Sequence, residues 1–248
     1  MKVLELYRAL EERIPRTLSC PWDNDGLMLC PDGNAEVKKV LFTLDVTDEA
    51  VDYAMARRFD LIVSHHPMIF RPLKGIIDPK YVKLIQNGIA VMSFHTRLDA
   101  VEGGVNDVLA SFFGLTDTAR FTEDGIGIIG TLPAALSAEA LVSLVKTKLG
   151  SPKIEAILSN RPCFRLAVVG GDGKDFIEAA AQAGADAYLT GSMSYNSMTD
   201  GKTLGMTLLA AGHYETENPV LSRLSQWVNE ITGGVEIEIF FCNRIQIV

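Results

Sequence analysis

The four histidines of this chain lie in three short polar stretches, and each stretch follows an apolar segment typical of a buried strand. Imidazole nitrogens and carboxylate oxygens are the donors from which proteins build transition-metal sites. Histidines gathered at strand ends therefore predict a metal site. The segments and their histidines are residues 60–64 before His65 and His66, residues 89–94 before His95, and residues 206–211 before His213.

The adjacent pair His65 and His66 has two interpretations. Neighbouring residues of an extended strand point to opposite faces, so one ring could be buried and hydrogen-bonded while the other is exposed. At the end of a strand the chain can turn, and both rings could then reach one cavity. Pro67 follows directly and restricts the direction in which the chain leaves the strand.

Two carboxylates accompany the histidines: Asp99 lies four residues after His95, and Glu217 lies four residues after His213. Asp99 could instead cap a helix, and Glu215 is an alternative ligand to Glu217. Surface exposure is the simplest interpretation of either glutamate. Taken together, three histidines and two carboxylates exceed the three protein ligands of one catalytic zinc, and they suit two metal ions that share a carboxylate.

The composition bounds the class of protein. The chain has 248 residues, 48% of them hydrophobic, which is enough for one large domain or two small lobes. Its net charge of −8 and the lack of a basic run argue against nucleic-acid binding. No apolar stretch approaches the roughly 18 residues of a membrane span. Four scattered cysteines without a Cys-x-x-Cys pair indicate reduced thiols in a cytoplasmic protein.

Strands and helices alternate along the sequence. Residues 1–15 predict an amphipathic helix rather than a secretion signal, because their apolar side chains share one helical face. The other predicted helices are 47–58, 79–87, 103–113, 174–184 and 219–230, and the predicted strands are 39–44, 60–64, 89–94, 166–170, 186–190, 206–211 and 235–241. This order predicts an α/β fold whose sheets are largely parallel or mixed and are flanked by helices.

The two halves of the chain resemble each other. Residues 40–67 align without gaps to residues 166–193, with Asp60 opposite Asp186. The pairs His95/Asp99 and His213/Glu217 also align in this comparison. We therefore predict two related α/β lobes, residues 1–124 and residues 125–248, that jointly form one metal site at the carboxyl ends of their strands. The alternative is that any two strand–helix–strand units look alike.

A glycine-rich turn, residues 170–173, precedes the helix that begins near Lys174. Such a turn could hold a phosphate at the start of that helix. It lacks the full spacing of a P-loop or of a Gly-x-Gly-x-x-Gly motif, which favours a plain tight turn.

Four ordered motifs give the chain a resemblance to a known family. It resembles the NGG-interacting-factor-like proteins, a dinuclear-metal-centre hexameric family in which some members carry the name GTP cyclohydrolase 1 type 2. The resemblance spans nearly the whole chain. Its motifs here are Trp22-Asp23-Asn24-Asp25-Gly26-Leu27, Ser64-His65-His66-Pro67, His95-Thr96-Arg97-Leu98-Asp99 with Gly103-Gly104-Val105-Asn106-Asp107, and Gly212-His213-Tyr214 with Thr216-Glu217.

The resemblance implies a site and an assembly. The implied ligands of two divalent transition metal ions (Zn, Fe or Mn) are His65, His66, Asp99, His213 and Glu217. His95 is implied as a supporting group beside them. Family members look like two-lobed α/β subunits arranged as a toroidal homohexamer around an internal cavity.

Two functions fit this resemblance. The first is a metal-dependent hydrolase acting on a nucleotide or phosphoester-type small molecule. The second is a non-enzymatic metal-binding scaffold or partner-binding protein. Two departures from the family pattern bear on that choice: Ser192 stands where the family usually has an acidic residue, and Asn196 stands where it often has histidine.

Overall fold

The structure, a computed structural model, describes residues 1–247 and has a mixed α/β architecture. The strands are β1 (Gly26–Leu29), β2 (Lys39–Thr43), β3 (Leu61–Ser64), β4 (Ala90–Ser93), β5 (Thr116–Arg120), β6 (Ile128–Leu136), β7 (Glu155–Ile157), β8 (Cys163–Val169), β9 (Ala187–Thr190), β10 (Thr207–Ala210) and β11 (Glu236–Phe240). The α-helices are α1 (Val3–Arg13), α2 (Asp48–Ala56), α3 (Pro79–Gln86), α4 (Thr96–Ala100), α5 (Val105–Phe112), α6 (Ala138–Leu149), α7 (Ile177–Gln182), α8 (Tyr195–Gly201), α9 (His213–Glu217) and α10 (Val220–Thr232).

The chain divides into two compact units. The first comprises Met1–Val101 together with Leu221–Arg244, and the second comprises Glu102–Val220 with a short segment that begins at Ile245. This division differs from the sequence-based boundary after residue 124. There are two reasons: β5 pairs with β6, which assigns residues 116–120 to the second unit, and β11 pairs in parallel with β2, which assigns the last strand to the first unit.

The first unit is built on a five-stranded sheet in the order β1-β4-β3-β2-β11. Within this sheet, β4, β3, β2 and β11 are parallel to one another, and β1 is antiparallel to β4. Strands β3 and β4 are buried along their whole length, as expected for parallel strands covered on both faces. The sequence prediction of a sheet flanked by helices is therefore confirmed.

Local signals explain where the helices of this unit begin. Thr47 caps α2 by accepting a hydrogen bond from the amide of Ala50. Asp78 caps α3, whose first residue is Pro79, a position at which proline is favoured. Helix α1 buries the apolar face predicted from the sequence, including Leu6 and Leu10.

The second unit contains a six-stranded sheet in the order β5-β6-β8-β9-β10-β7. Strands β8, β9 and β10 are parallel, while β5, β6 and β7 are antiparallel to their neighbours. These three antiparallel strands were not predicted from the sequence. Strand β6 contains Gly130 and Pro133, which weaken a strand pattern, and all of β5 apart from Arg120 is exposed.

The repeated strand–helix–strand element has the same backbone bonding in both units. Asp60 accepts hydrogen bonds from the amides of Lys38 and Lys39, at 2.8 and 2.9 Å. Asp186 accepts the equivalent pair from Phe164 and Arg165, at 3.0 and 2.8 Å. Each aspartate directly precedes one strand, and its carboxylate holds the backbone of the adjacent parallel strand near that strand's start. This shared bonding supports the repeat inferred from the gapless alignment.

The second part of that alignment is wrong by one residue. Ser93 is paired with Ser64 in the first sheet, and Ala210 is paired with Thr190 in the second. Ser93 and Ala210 are therefore equivalent positions of the repeat. Helix α4 begins three residues after Ser93 and helix α9 begins three residues after Ala210, so His213 is the counterpart of Thr96 and not of His95. The shared spacing of His95/Asp99 and His213/Glu217 is therefore not inherited position by position from the repeat.

No helix within residues 1–247 is long and apolar enough to cross a membrane.

Candidate metal centre

In the first unit, three histidine rings cluster where β3 and β4 end. The ring centroids of His65 and His66 are 5.0 Å apart, and the ring of His95 lies 5.4 and 5.7 Å from them. His65 is fully buried, while His66 and His95 are partly exposed. Because β3 and β4 are parallel neighbours, their carboxyl ends meet at one edge of the sheet.

The hydrogen bond of His65 determines which ring nitrogen can bind a metal ion. Nδ1 lies 2.9 Å from the carbonyl oxygen of Phe94. A carbonyl oxygen only accepts, so Nδ1 donates this hydrogen bond, and Nε2 is the ring nitrogen that can face a metal ion. That Nε2 lies 3.6 Å from Oδ1 of Asp99, which is a buried carboxylate. An imidazole nitrogen and a carboxylate oxygen at this separation are suited to hold one cation between them.

His66 and His95 are oriented in the same way by carboxylates. Nδ1 of His66 donates to Oδ1 of Asp45 at 2.8 Å, and Nδ1 of His95 donates to Oδ1 of Asp23 at 3.0 Å. A carboxylate that holds Nδ1–H fixes the tautomer and raises the basicity of Nε2, an arrangement typical of metal-binding histidines. Neither aspartate was among the residues predicted from the sequence to form the site.

Asp99 does not cap a helix, which was the alternative interpretation of this residue. It lies inside α4, where His95 is the residue before the first turn. The following helix, α5, begins after Gly104. Asp99 is 8% exposed and faces His65, as the ligand interpretation expects.

Asp23 also holds the loop around His95 in place. Its buried carboxylate accepts hydrogen bonds from the amide and the hydroxyl of Thr96, at 3.0 and 2.7 Å, in addition to that from His95. Burial alone would raise the pKa of Asp23, but the hydrogen bonds from His95 and Thr96 outweigh it and lower the pKa from 3.8 to about 2.

This depressed pKa predicts an acid-labile contribution to stability. The stabilisation is fully present above the unfolded-state pKa, near 3.8, and is lost as the pH falls towards about 2. We expect Asp23→Asn to lower the free energy of unfolding by about 2 kcal/mol at neutral pH and by much less at about pH 2. Urea unfolding of the unaltered protein and of Asp23→Asn, from neutral pH to about pH 2, measures the difference in the free energy of unfolding. A difference between them that stays constant with pH would contradict the prediction.

Asp25 and Arg97 form a second charged group behind the histidines. Arg97 is fully buried and donates from Nε to Asp25 and from Nη1 to Glu11, both at 3.0 Å, and Nη1 also donates to the carbonyl of Ile14. Asp25 in turn accepts from the amide of His95 at 3.2 Å. The buried arginine thus ties α1 to the loop that carries His95.

In the second unit, His213 and Glu217 lie one turn apart on α9. Nε2 of His213 is 3.1 Å from Oε2 of Glu217. Glu217 is buried, whereas Glu215 is only partly buried. The structure therefore favours Glu217 over Glu215 as the partner of His213.

Glycines make room for this pair. A Cβ atom at Gly171 would lie 2.1 Å from Oε1 of Glu217, and one at Gly191 would lie 2.7 Å from the Cα atom of His213. Gly191 is the counterpart of His65 in the repeat, and a side chain at this position is excluded by the carbonyl of Gly171 and by the packing of α9. The presence of His65 in one half and of glycine at the equivalent position in the other therefore has a steric cause.

The glycine-rich turn at residues 170–173 is not arranged as a phosphate loop. The amide of Gly170 donates to Asn106, that of Gly171 to Thr216, and that of Gly173 to Thr190. Amides already bonded within the protein cannot also hold a phosphate. The plain tight turn favoured from the sequence is the correct interpretation.

The structure thus gathers His65, His66, His95 and Asp99 in one unit and places His213 beside Glu217 in the other. The resemblance implied an acidic residue at position 192 and a histidine at position 196, where this chain has Ser192 and Asn196. Ser192 is partly buried, and Asn196 is exposed on α8.

Comparison with known proteins identifies relatives over nearly the whole chain. A protein of Clostridium perfringens named GTP cyclohydrolase 1 type 2 homolog is 33% identical over 242 residues, covering 93% of this chain and 92% of the relative. Among solved structures, hypothetical protein SA1388 of Staphylococcus aureus has a TM-score of 0.91 at 26% identity, covering 100% of this chain and 99% of its own.

A second solved structure, reduced HcgD of Methanocaldococcus jannaschii, has a TM-score of 0.84 at 28% identity, covering 96% of this chain and 97% of its own. The model of the Duf34/NIF3 (NGG1p interacting factor 3) family matches residues 1–246. This confirms the resemblance inferred from the four sequence motifs. The chain belongs to the Duf34/NIF3 family.

Proposed function

We propose that this protein binds two divalent transition metal ions and is a metal-dependent hydrolase. The proposed ligands are His65, His66, Asp99, His213 and Glu217. The observation that carries the proposal is the orientation of His65 and His66, whose Nδ1 atoms are each hydrogen-bonded to an oxygen acceptor, as is typical of metal-binding histidines.

The donor set fits such ions. His65, His66 and Glu217 each offer one side-chain atom of the kind that holds a metal. Imidazole nitrogen mixed with carboxylate oxygen suits Zn, Fe or Mn better than Mg or Ca, which prefer oxygen ligands alone. Five ligands exceed the need of one catalytic zinc, which supports two ions.

The chemistry expected from the site is hydrolysis. When bound, divalent metal ions lower the pKa of water and stabilise negative charge on a substrate oxygen. The protein's own contribution is to orient the ligands: Asp45 holds the ring of His66, and the carbonyl of Phe94 holds that of His65. The name of the relatives, GTP cyclohydrolase 1 type 2 homolog, favours a nucleotide among the candidate substrates, with other phosphoesters as the alternative.

Elemental analysis of the gently purified protein tests the metal proposal, and about two equivalents per chain are expected. Turnover of a panel of nucleotides and phosphoesters with added Mn²⁺, Zn²⁺ or Fe²⁺, abolished in His66→Ala, would support the hydrolase. A protein that neither contains metal nor takes it up would contradict the whole proposal. A protein with two metal ions and no turnover on any of the panel would contradict the hydrolase alone.

A second candidate is a metal-stabilised oligomeric scaffold in the cytoplasm. It is favoured by Ser192 and Asn196, which replace the acidic residue and the histidine usual in the family. For such a scaffold, chelation should lower the melting temperature or dissociate a homo-oligomer, which the family resemblance implies to be a hexamer. Chelation that changed neither stability nor assembly would exclude this function.

Gly171→Ala separates the role of Glu217 from general stability. A Cβ at this position would displace the Glu217 carboxylate, and Gly171 also has a φ of +68°. Gly150 of the same unit has a φ of +64° and open space around its Cβ position. Both alanine variants should lose about 1 kcal/mol of stability through the left-handed backbone. Only Gly171→Ala should also bind metal more weakly, as measured by competition with a chromophoric chelator, and equal affinities in the two variants would contradict the prediction.

A further inference from the structure

Two exposed aromatic rings flank the histidine cluster of the first unit. Trp22 is 62% exposed and Phe70 is 46% exposed. Their ring centroids are 6.2 Å apart, and both rings also contact His95, at 6.3 and 6.5 Å. Single exposed apolar side chains are common on proteins, but a contiguous aromatic group beside a polar cluster is typical of a binding site.

The three rings stand edge to face. The angles between their planes are 60° for Trp22 and Phe70, 76° for Trp22 and His95, and 88° for Phe70 and His95. His95 itself contacts His65 and His66. The aromatic group therefore extends from the histidines towards solvent, so a ligand held at the histidines would reach it.

The two aromatic side chains are attached to fixed backbone. Asp23, the residue after Trp22, has a fully buried side chain that is bonded to His95 and Thr96. Asn24 donates a hydrogen bond to the carbonyl of Ile69, the residue before Phe70. This bond ties together the two loops that carry the rings. A platform held in place in this way loses little entropy when a flat ring stacks on it.

We propose that Trp22 and Phe70 form the recognition site for the base of a nucleotide whose phosphate end lies towards the histidines. This proposal rests on the proposed function and selects nucleotides over base-free phosphoesters. Stacking on aromatic side chains is a general mode of base recognition, since every base has a π face.

Tryptophan fluorescence provides a direct test, because the chain has two tryptophans and Trp227 is buried. In Trp227→Phe, emission comes from Trp22 alone. Guanosine monophosphate should quench it saturably, while ribose phosphate, which lacks the base, should not quench and should bind at least about tenfold more weakly by calorimetry.

Variants of the two rings complete the experiment. Phe70→Ala and Trp22→Ala should each weaken binding of guanosine monophosphate about tenfold, with metal content unchanged. Ile77→Ala is the matched control, an exposed apolar residue of the same loop, and should bind as the unaltered protein does. The proposal is overturned if both ring variants bind normally, or if guanosine monophosphate and ribose phosphate bind equally. It is also overturned if Trp22 responds only to protein concentration, which would make the rings a contact between copies.

The assay measures binding, so its outcome is independent of turnover. A protein that binds the base but hydrolyses nothing would contradict the hydrolase and leave the base site standing. A protein that hydrolyses base-free phosphoesters as fast as nucleotides, without base-dependent binding, would support the hydrolase and contradict the base site.

Discussion

Replacing His66 by alanine is expected to reduce bound metal from about two equivalents per chain to one or fewer. The imidazole is a proposed ligand, and water in its place would hold the metal ion more weakly than a fixed nitrogen donor does. Asp45→Asn should have a smaller and distinct effect. It leaves Nε2 of His66 in place but removes the carboxylate that orients the ring, so both ions should still bind, about 10–100-fold more weakly.

Metal titrations of the two variants, followed by elemental analysis after dialysis, measure this contrast. Asp52→Asn is the matched control, since Asp52 is an exposed carboxylate that is paired with Lys83. It should retain the metal content and affinity of the unaltered protein. Loss of metal from His66→Ala no greater than from Asp52→Asn would contradict the assignment of His66.

Replacing Arg97 by alanine is expected to destabilise the first unit by roughly 3–5 kcal/mol. Arg97 is fully buried, and its loss leaves the buried carboxylate of Asp25 and that of Glu11 without their cation. Burial alone would lower the pKa of Arg97, but Asp25 and Glu11 outweigh it and raise the pKa, so the group stays charged in the fold. A loss of this size corresponds to a fall in melting temperature of about 10 °C.

Urea unfolding monitored by tryptophan fluorescence reports on the first unit, because Trp22 and Trp227 both belong to it. Arg57→Ala is the control. Arg57 pairs with Glu238 at 2.8 Å but is half exposed, so its loss should cost less than about 1 kcal/mol. Equal destabilisation by the two substitutions would show that burial of the Arg97 pairs contributes nothing.

Much of the site could be predicted from sequence because strand ends converge in a parallel sheet. His65 and His95 were predicted to lie together on that ground, and the pairing of β3 with β4 brings them together. Asp45 follows β2, the other neighbour of β3, so the same reasoning could have found it. Asp23 precedes an antiparallel strand, and no rule of parallel sheets places it beside His95.

Other features depended on packing that the sequence pattern does not contain. The exclusion of a side chain at Gly191 follows from the positions of the Gly171 carbonyl and of the α9 backbone. The one-residue error in aligning His95 with His213 arose because identical spacing was given more weight than strand pairing. The antiparallel strands β5 and β7 were missed because short, largely exposed strands carry little apolar periodicity.

The parallel pairing of β11 with β2 sets an order of events during synthesis. Residues 236–240 complete a sheet whose other strands lie within residues 26–93, whereas all six strands of the second sheet are available once residue 210 has been made. A growing chain folds from what has already emerged, and contacts between distant segments form late. While the last strand is being translated, the edge of β2 that will receive it is open to other strands, so this is the interval in which the nascent chain is most exposed to mispairing and to chaperones.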